Sequence, residues 1–200
     1  YSLIFPKPVE LTKQDSFFAT SYTLPEEVLN GVYTVVDIET TGTDVSNDKI
    51  TEIGAVKIIN GVIAEEFQTL INPEIPISDR IYKLTGINDE LVALSPKIED
   101  VFADFFKFLG NSVFVAHNTE FDYKFLRSAG KKVGYVINNK TEDTLAISRK
   151  VLKQLSHHKL NQICDFYGIK FHHHRALSDA YATAEVFLEL LKGKKSLKDI

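Results

Sequence analysis

The chain has 200 residues, a formal net charge of −4 and a hydrophobic fraction of 44%. These values fit one globular domain, alone or with an appendage, and argue against disorder and against a broad basic face that coats nucleic acid. They do not exclude a protein that grips a short nucleic-acid end through bound metal ions, because the ions would supply the positive charge. No apolar run approaches the roughly 20 residues that span a bilayer, so no membrane contact is expected.

The single cysteine, Cys164, cannot form an internal disulfide, and its apolar neighbours predict an unreactive buried thiol. The N-terminus lacks the basic start and continuous apolar segment of a signal peptide. These features favour a reducing, cytoplasmic location. The missing initiator methionine and the lysine-rich end of the chain indicate a fragment of a longer protein.

Residues 1–30 are expected to form an N-terminal extension of unknown role, which includes a short helical turn closed by Asn30-Gly31. From Val32 onward, residues typical of strands dominate. We expect the main domain to cover residues 31–192 and residues 193–200 to form a tail or linker.

Three strands are predicted first, starting at Val32, at 50–59 and at 62–71. Asn60-Gly61 is a strong hairpin signal, so the third strand should run antiparallel to the second. The remaining predictions are a helix at about 78–84, a helix that starts at Ser95-Pro96, a strand at 113–116, a helix from 119 to about 129, a strand at 134–137, and helices at about 143–155, 159–167 and 176–191. This order predicts an α/β fold with a mixed five-stranded sheet, antiparallel in its first three strands and parallel afterwards, with helices on both faces.

Two acids interrupt the apolar run of the first strand, Asp37 and Glu39. Being two positions apart, they should point to the same face, with Cα atoms roughly 6.6 Å apart. Such a pair at the end of a central strand forms half of a site for a hard divalent cation. By itself the pair is also compatible with a calcium site or with two acids exposed to solvent.

Two further acids are predicted in the first turns of helices that follow strands or loops, Asp122 and Asp179. An acid in a first turn also has a purely structural explanation, because it complements the helix dipole by about 0.3–1 kcal/mol. Three consecutive histidines precede Asp179. The lack of nearby cysteines argues against a zinc tract, and His174 is the favoured catalytic histidine because it lies just before the helix of Asp179.

These residues form three motifs in a fixed order: Asp-x-Glu-Thr-x-Gly, Asn-x-x-x-Asp and His-x-x-x-x-Asp. The combination resembles the DnaQ-like exonuclease family of the DEDDh type, which has a ribonuclease H-like fold. The resemblance covers about residues 32–192 and extends to the stretches Leu84–Ile87 and Asp143–Leu145. Within the family it is most similar to the exonuclease domain of PolC-type replicative polymerases and to the stand-alone proofreading subunit.

The resemblance implies a metal-dependent 3′-5′ exonuclease that releases 5′-mononucleotides from single-stranded or frayed DNA 3′ ends, and a role in proofreading. Two Mg²⁺ or Mn²⁺ ions would balance the charge of four carboxylates and act on the attacking and leaving oxygens. The implied metal ligands are Asp37, Glu39, Asp122 and Asp179, with His174 as the general base.

The implied contacts to the terminal nucleotide are Thr40, Thr41 and Asn118, with Phe121 and Ile87 beside its base. For Phe121, packing in the core is an equally good interpretation. The implied partners are a single-stranded DNA 3′ end and either a DNA polymerase subunit or the rest of a polymerase chain.

Three alternatives stay open. The same motifs serve exoribonucleases that trim RNA 3′ ends, in which contacts to the 2′-hydroxyl decide the substrate. A non-catalytic scaffolding domain of a polymerase is disfavoured because every signature residue is present. A regulatory magnesium-binding domain would leave His174 without a role.

Overall fold

The computed structural model describes residues 23–171 and 174–200. Its strands are β1 (Val32–Thr40), β2 (Ile50–Ile59), β3 (Val62–Leu70), β4 (Val113–Ala116) and β5 (Thr141–Asp143). They form one sheet in the order β3-β2-β1-β4-β5. β2 is antiparallel to β1 and to β3, whereas β4 is parallel to β1 and β5 is parallel to β4. This arrangement confirms the predicted mixed sheet.

Eight helices are present among the described residues: α1 (Glu26–Leu29), α2 (Asp79–Thr85), α3 (Asp89–Val92), α4 (Ile98–Leu109), α5 (Thr119–Lys132), α6 (Thr144–Val151), α7 (Leu160–Tyr167) and α8 (Ala176–Leu191). A 3-10 turn, Leu197–Asp199, follows α8.

The central strand β1 separates two hydrophobic cores because its β-branched residues alternate between the two faces of the sheet. Val35 faces the core that contains the apolar side of α8, and Val36 and Ile38 face the core formed with α4 and α5. All three side chains are buried. Because both faces are covered, β1 is held rigidly in the middle of the molecule.

The hairpin prediction is confirmed. Asn60 and Gly61 both have positive φ angles, 53° and 79°, which is the backbone that a two-residue turn of this kind needs. The turn sets the register of β2 against β3, in which Ile59 pairs with Val62.

The prediction of a fifth strand at 134–137 is wrong, because β5 is Thr141–Asp143. Two side chains of the segment 134–137, Tyr135 and Ile137, pack into the core, whereas Val136 is exposed. The ring of Tyr135 lies 5.0 Å from that of Phe106, and Ile137 is 1% exposed. β5 itself is short and polar, so hydrophobic alternation could not reveal it.

Helix α3 was not predicted, and α4 starts later than expected. Asn88 caps α3 by accepting a hydrogen bond from the Leu91 amide at 2.9 Å. The amide of Ser95 donates to Val92 O at 3.0 Å, so Ser95-Pro96 belongs to the turn that closes α3. Helix α4 begins only at Ile98.

Two other helices end at different positions from those predicted. Helix α5 continues to Lys132, beyond residue 129. Helix α6 ends at Val151 rather than near 155, because Leu152 leaves the helical conformation, with φ −106° and ψ 57°, and its side chain is buried in the core.

The two ends of the described chain lie side by side. Val28 of α1 is fully buried in the core next to α8, so this part of the predicted extension packs onto the domain. Ser196 donates a hydrogen bond to the Glu27 carboxylate. The rest of the predicted extension, residues 1–22, lies outside the described residues. The domain boundaries at 31 and 192 stay predictions.

In the described parts of the chain, no helix is both long enough and apolar enough to cross a membrane.

Candidate active site

Two carboxylates project from one face of β1 near its C-terminal end. The register of the sheet places Asp37 opposite Gly54 of β2, and Glu39 opposite Glu52. Val35, two residues before Asp37, lies in the core beneath α8, so both acids point toward the start of that helix. Both side chains are half-buried.

Helix α8 brings a third carboxylate, Asp179, to this pair. One carboxylate oxygen from each of Asp37, Glu39 and Asp179 lies within 4.8 Å of the others. Gly54 makes this approach feasible, because a Cβ atom there would lie 2.1 Å from the backbone nitrogen of Leu177. A larger residue at position 54 would therefore push the start of α8 away from the acids of β1.

Asp122 reaches β1 from the other core. It lies in the first turn of α5, is 5% exposed, and its Oδ1 accepts a hydrogen bond of 3.1 Å from the Ile38 amide. The group of oxygens that lie within 4.8 Å of one another does not include one from Asp122. The charge of Asp122 nevertheless helps to raise the pKa of Asp37. All four predicted acids thus lie near the C-terminal end of β1.

Burial and mutual repulsion favour the protonated forms of these acids. Burial raises the pKa of Asp37 well above its usual range, and the charges of Asp122 and Asp179 raise it further. Burial, followed by the charge of Asp179, raises the pKa of Glu39 to about 8. Burial also raises the pKa of Asp122 to about 8, although two backbone hydrogen bonds oppose the shift.

The cluster fits a divalent metal ion. Its donors are carboxylate oxygens, which hard cations such as Mg²⁺ and Mn²⁺ prefer. The pKa values of Asp37 and Glu39 are raised because the surrounding protein does not supply enough positive charge to balance the ionised carboxylates. A bound cation would balance it and would stabilise the ionised carboxylates.

His174 lines the same groove as these acids and lies two residues before the start of α8. Its φ angle is 69°, a left-handed conformation that is uncommon for a residue other than glycine. Its amide donates a hydrogen bond of 2.8 Å to Asp179 Oδ2, which links the histidine backbone to the third acid. The other two histidines, at 172 and 173, lie outside the described residues.

Sequence analysis overlooked Glu52, a fully buried carboxylate on β2. Its Oε1 accepts hydrogen bonds from Arg175 Nη2 at 2.9 Å and Gln68 Nε2 at 2.7 Å, and its Oε2 accepts from Arg175 Nε at 3.2 Å and the Ala176 amide at 3.1 Å. These bonds join β2 and β3 to the first residues of α8. The available signal was an acid inside a largely apolar strand, opposite Glu39.

A second overlooked group supports the loop between β4 and α5. Asn118 has a φ angle of 72°, and its amide donates a 3.0 Å hydrogen bond to Asp143 Oδ1. The His117 ring donates from Nε2 to His158 O at 2.9 Å, and its Nδ1 lies 2.9 Å from the Thr144 hydroxyl. Burial lowers the pKa of His117, so the ring is neutral at pH 7 and acts as a structural bridge.

The acids open into a groove of about 880 Å³. Of the predicted contacts to a nucleotide, Asn118 and Phe121 line this groove. The Phe121 ring is half-buried and lies 5.0 Å from that of Phe125, so it both packs on α5 and faces the groove.

The other three predicted contacts are placed differently. Thr40 Oγ1 donates to Gly42 O at 2.6 Å, and Thr41 Oγ1 donates to Asp48 at 3.0 Å, so both side chains are used within the loop after β1. Ile87 is fully buried and does not line the groove, so a contact between its side chain and a base has no support in this arrangement. The roles of all site residues stay predictions.

Comparison with known proteins agrees with the motifs. A family model described as Exonuclease matches residues 34–187. The PolC-type DNA polymerase III of Caldanaerobacter subterraneus subsp. tengcongensis is 46% identical over 181 residues, which is 88% of this chain and 13% of that protein. The PolC-type DNA polymerase III of Thermotoga petrophila is 45% identical over 84% of this chain and 12% of its own length. The chain thus spans a small part of these relatives.

Solved structures show the same fold. A structure of exonuclease X in complex with 5′-overhanging duplex DNA superposes with a TM-score of 0.66 at 27% identity and covers 79% of this chain and 90% of its own. E. coli exonuclease I in complex with a dA16 oligonucleotide superposes with a TM-score of 0.69 at 18% identity, over 80% of this chain and 40% of its own. These neighbours confirm the ribonuclease H-like fold.

The family match covers the part of β1 that carries Asp37 and Glu39, the N-termini of α5 and α8, and His174. The resemblance inferred from the motifs is therefore confirmed, and the chain belongs to the exonuclease family.

Proposed function

We propose that this chain is a 3′-5′ exonuclease that removes 5′-mononucleotides from single-stranded or frayed DNA 3′ ends. The observation that carries the proposal is the convergence of Asp37, Glu39 and Asp179 oxygens within 4.8 Å, at a groove that His174 and Asp122 also line. Such an arrangement suits hydrolysis of a phosphodiester bond assisted by divalent cations.

The four acids would hold two Mg²⁺ or Mn²⁺ ions, with Asp37 central because its pKa responds to all three other acids. When bound, the ions supply charge stabilisation to the attacking and leaving oxygens of the phosphodiester. The acids of β1 form a rigid wall, since that strand is buried between two cores. The two helix N-termini each complete the site with one acid.

His174 is the proposed general base. It would accept a proton from the water whose oxygen attacks phosphorus, while the bond between phosphorus and the 3′-oxygen of the preceding nucleotide breaks. An imidazole with an ordinary pKa near 6.5 suits this role at neutral pH. Its link through the backbone to Asp179 at 2.8 Å keeps it beside the acids.

A role in proofreading is supported by the relatives, which are PolC-type DNA polymerases. A recessed site reached by an unpaired end would select mismatches without reading base identity, because a mismatched terminus frays more readily. The partner would then be a polymerase subunit or the rest of a polymerase chain.

The proposal is tested with 5′-labelled and 3′-labelled single-stranded DNA, and with RNA of the same sequence, with and without Mg²⁺. We expect a ladder of shortened 5′-labelled DNA, release of labelled mononucleotide from the 3′-labelled strand, and no cleavage without metal. Asp37→Ala should abolish hydrolysis while leaving the fold intact by circular dichroism. Shortening from the 5′ end, or equal activity with and without metal, would refute the proposal, and faster cleavage of RNA would reassign the substrate.

A further inference from the structure

The part of the groove lined by α6, by the start of α7 and by the loop between them differs in charge from the acid cluster. Every carboxylate among the described groove-lining residues belongs to the cluster of Asp37, Glu39, Asp122 and Asp179. The other wall, from α6 to the start of α7, carries no acid and includes Arg149, His157 and Lys159. In a chain of net charge −4, this separation of charge within one groove needs an explanation.

We define the cationic wall as Arg149, His157 and Lys159, and the charges of Arg149 and Lys159 are not used to hold the fold. Both Arg149 and Lys159 are exposed, and neither forms an ion pair with any described residue. His157 is also exposed. The positive charge of Arg149 and Lys159 is therefore available to a ligand in the groove.

The cationic wall is held at a fixed position relative to the acids. The carbonyl of His158, between the two wall residues His157 and Lys159, accepts a 2.9 Å hydrogen bond from His117. The His158 ring lies 3.2 Å from Ser148 Oγ on α6, one residue before Arg149. Because His117 directly follows β4, which pairs with β1, the wall is linked to the strand that carries the cluster.

We propose that the cationic wall binds the phosphate backbone of the nucleotides on the 5′ side of the scissile bond. This inference rests on the proposed function, which places the terminal nucleotide at the acid cluster. Phosphodiester oxygens are anions that repeat along the strand, and arginine and lysine bind them without regard to base identity. With its metal ions, the acid cluster would hold the scissile phosphate, so the upstream phosphates would lie along the cationic wall.

The test compares two substrates that differ in whether an upstream strand exists. One is a 20-nucleotide single-stranded DNA, and the other is the p-nitrophenyl ester of thymidine 5′-monophosphate, which has a scissile phosphate but no upstream nucleotide. The variant is Arg149→Gln with Lys159→Gln. The matched control is Lys107→Gln with Lys131→Gln, two exposed cations in the last turns of α4 and α5 that do not line the groove.

For the 20-nucleotide DNA we expect KM to rise about tenfold in the wall variant, with kcat nearly unchanged. Each lost phosphate contact should also reduce the salt dependence of log KM by about 1. Hydrolysis of the p-nitrophenyl ester should stay within about twofold of the wild type. The control variant should behave as the wild type on both substrates.

Equal losses on both substrates would overturn the inference, because the two residues would then act on the site itself. An unchanged KM and salt dependence on the DNA would overturn it as well. If the wild type cleaves neither substrate, the proposed function fails. The inference about the cationic wall is then tested only by measuring the affinity for fluorescently labelled 20-nucleotide DNA. Weaker binding by the wall variant than by the control would support it, and equal binding would overturn it.

Discussion

The N-termini of α5 and α8 both bring an acid to the end of β1, but they are anchored in different ways. Each helix follows a residue in the left-handed conformation, Asn118 at φ 72° and His174 at φ 69°. In α5 the acid itself bonds to the strand, because Asp122 Oδ1 accepts from the Ile38 amide. In α8 a separate carboxylate, Glu52, anchors the helix.

At α5 one acid both holds the helix and belongs to the site, whereas at α8 these two roles fall to different acids. Asp122 both belongs to the cluster and anchors α5, because its Oδ1 accepts a hydrogen bond from the backbone of β1. The hydrogen bonds that Arg175 and Ala176 donate to Glu52 hold the start of α8, which places Asp179 within 4.8 Å of Asp37 and Glu39. The two helix N-termini should therefore respond differently to substitution.

The largest expected effect concerns His174, two residues before α8. His174→Asn removes the proposed base but keeps a residue that tolerates the left-handed conformation. We expect turnover to fall by about 10²- to 10⁴-fold. The rise in melting temperature caused by Mg²⁺ should persist, because the acids are unchanged. If that rise disappears, His174 is a metal ligand and not the base.

The second effect is on the anchor of α8. Arg175→Gln leaves Glu52, which is fully buried, without its cationic partner, so we expect the free energy of unfolding to fall by about 3 kcal/mol. Turnover should fall too, because the start of α8 carries Asp179 and His174. Urea unfolding and hydrogen exchange would show faster exchange in the first turn of α8 than in that of α5.

The control for the anchor is Lys97→Gln, which removes an ion pair with Glu74 whose side chains are both about half exposed, 47% and 52%. Such a pair contributes about 0–1 kcal/mol. Equal losses of stability in the two variants would show that Glu52 and Arg175 do not anchor α8.

The third expected effect is a dependence of stability on pH, caused by repulsion among the clustered carboxylates. The pKa values of Glu39 and Asp122 are raised to about 8 in the folded chain, against about 4 in an unfolded one. Between these pH values the folded state binds more protons, so without metal the stability should fall as pH rises from about 4 to 8. We expect the melting temperature to drop by several degrees, and Mg²⁺ to reduce the drop.

Asp37→Asn removes one charge from the cluster and should flatten the metal-free pH profile measured by thermal unfolding. A melting temperature that rises steadily from pH 4 to 8 in the absence of metal would contradict the electrostatic account of the cluster.

The smallest expected effect is the difference in stability between asparagine and alanine variants at Asp122 and at Asp179. Asp122→Asn keeps an oxygen that accepts from the Ile38 amide, whereas Asp122→Ala leaves that amide unpaired, so the alanine variant should be less stable by about 1–2 kcal/mol. For Asp179 the same two variants should differ by less than about 1 kcal/mol, because water can reach the amide of the half-buried His174 that donates to Asp179 Oδ2. Urea unfolding at pH 5 measures both differences while Asp122 is mostly protonated.

A larger difference at Asp179 than at Asp122 would reverse the comparison between the two helix N-termini. It would mean that the acid of α8 anchors its helix as well.

The sequence by itself determined the elements that depend on local patterns. β1, β2 and the Asn60-Gly61 hairpin were predicted from alternation and turn residues, and α8 from its periodicity. The acids and His174 were identified because their spacing places them at the end of a strand or the start of a helix. The structure then brought three of the acids within 4.8 Å.

Only the tertiary structure decided the features that depend on contacts between distant residues. The local pattern predicts a strand at 134–137, because the core that receives Tyr135 and Ile137 is not visible in that pattern. The bond between Glu52 and Arg175 joins residues 123 positions apart, and the bond between His117 and His158 joins residues 41 apart. Alternation and periodicity report which residues become buried in an element, but only the packed chain decides which buried polar groups meet.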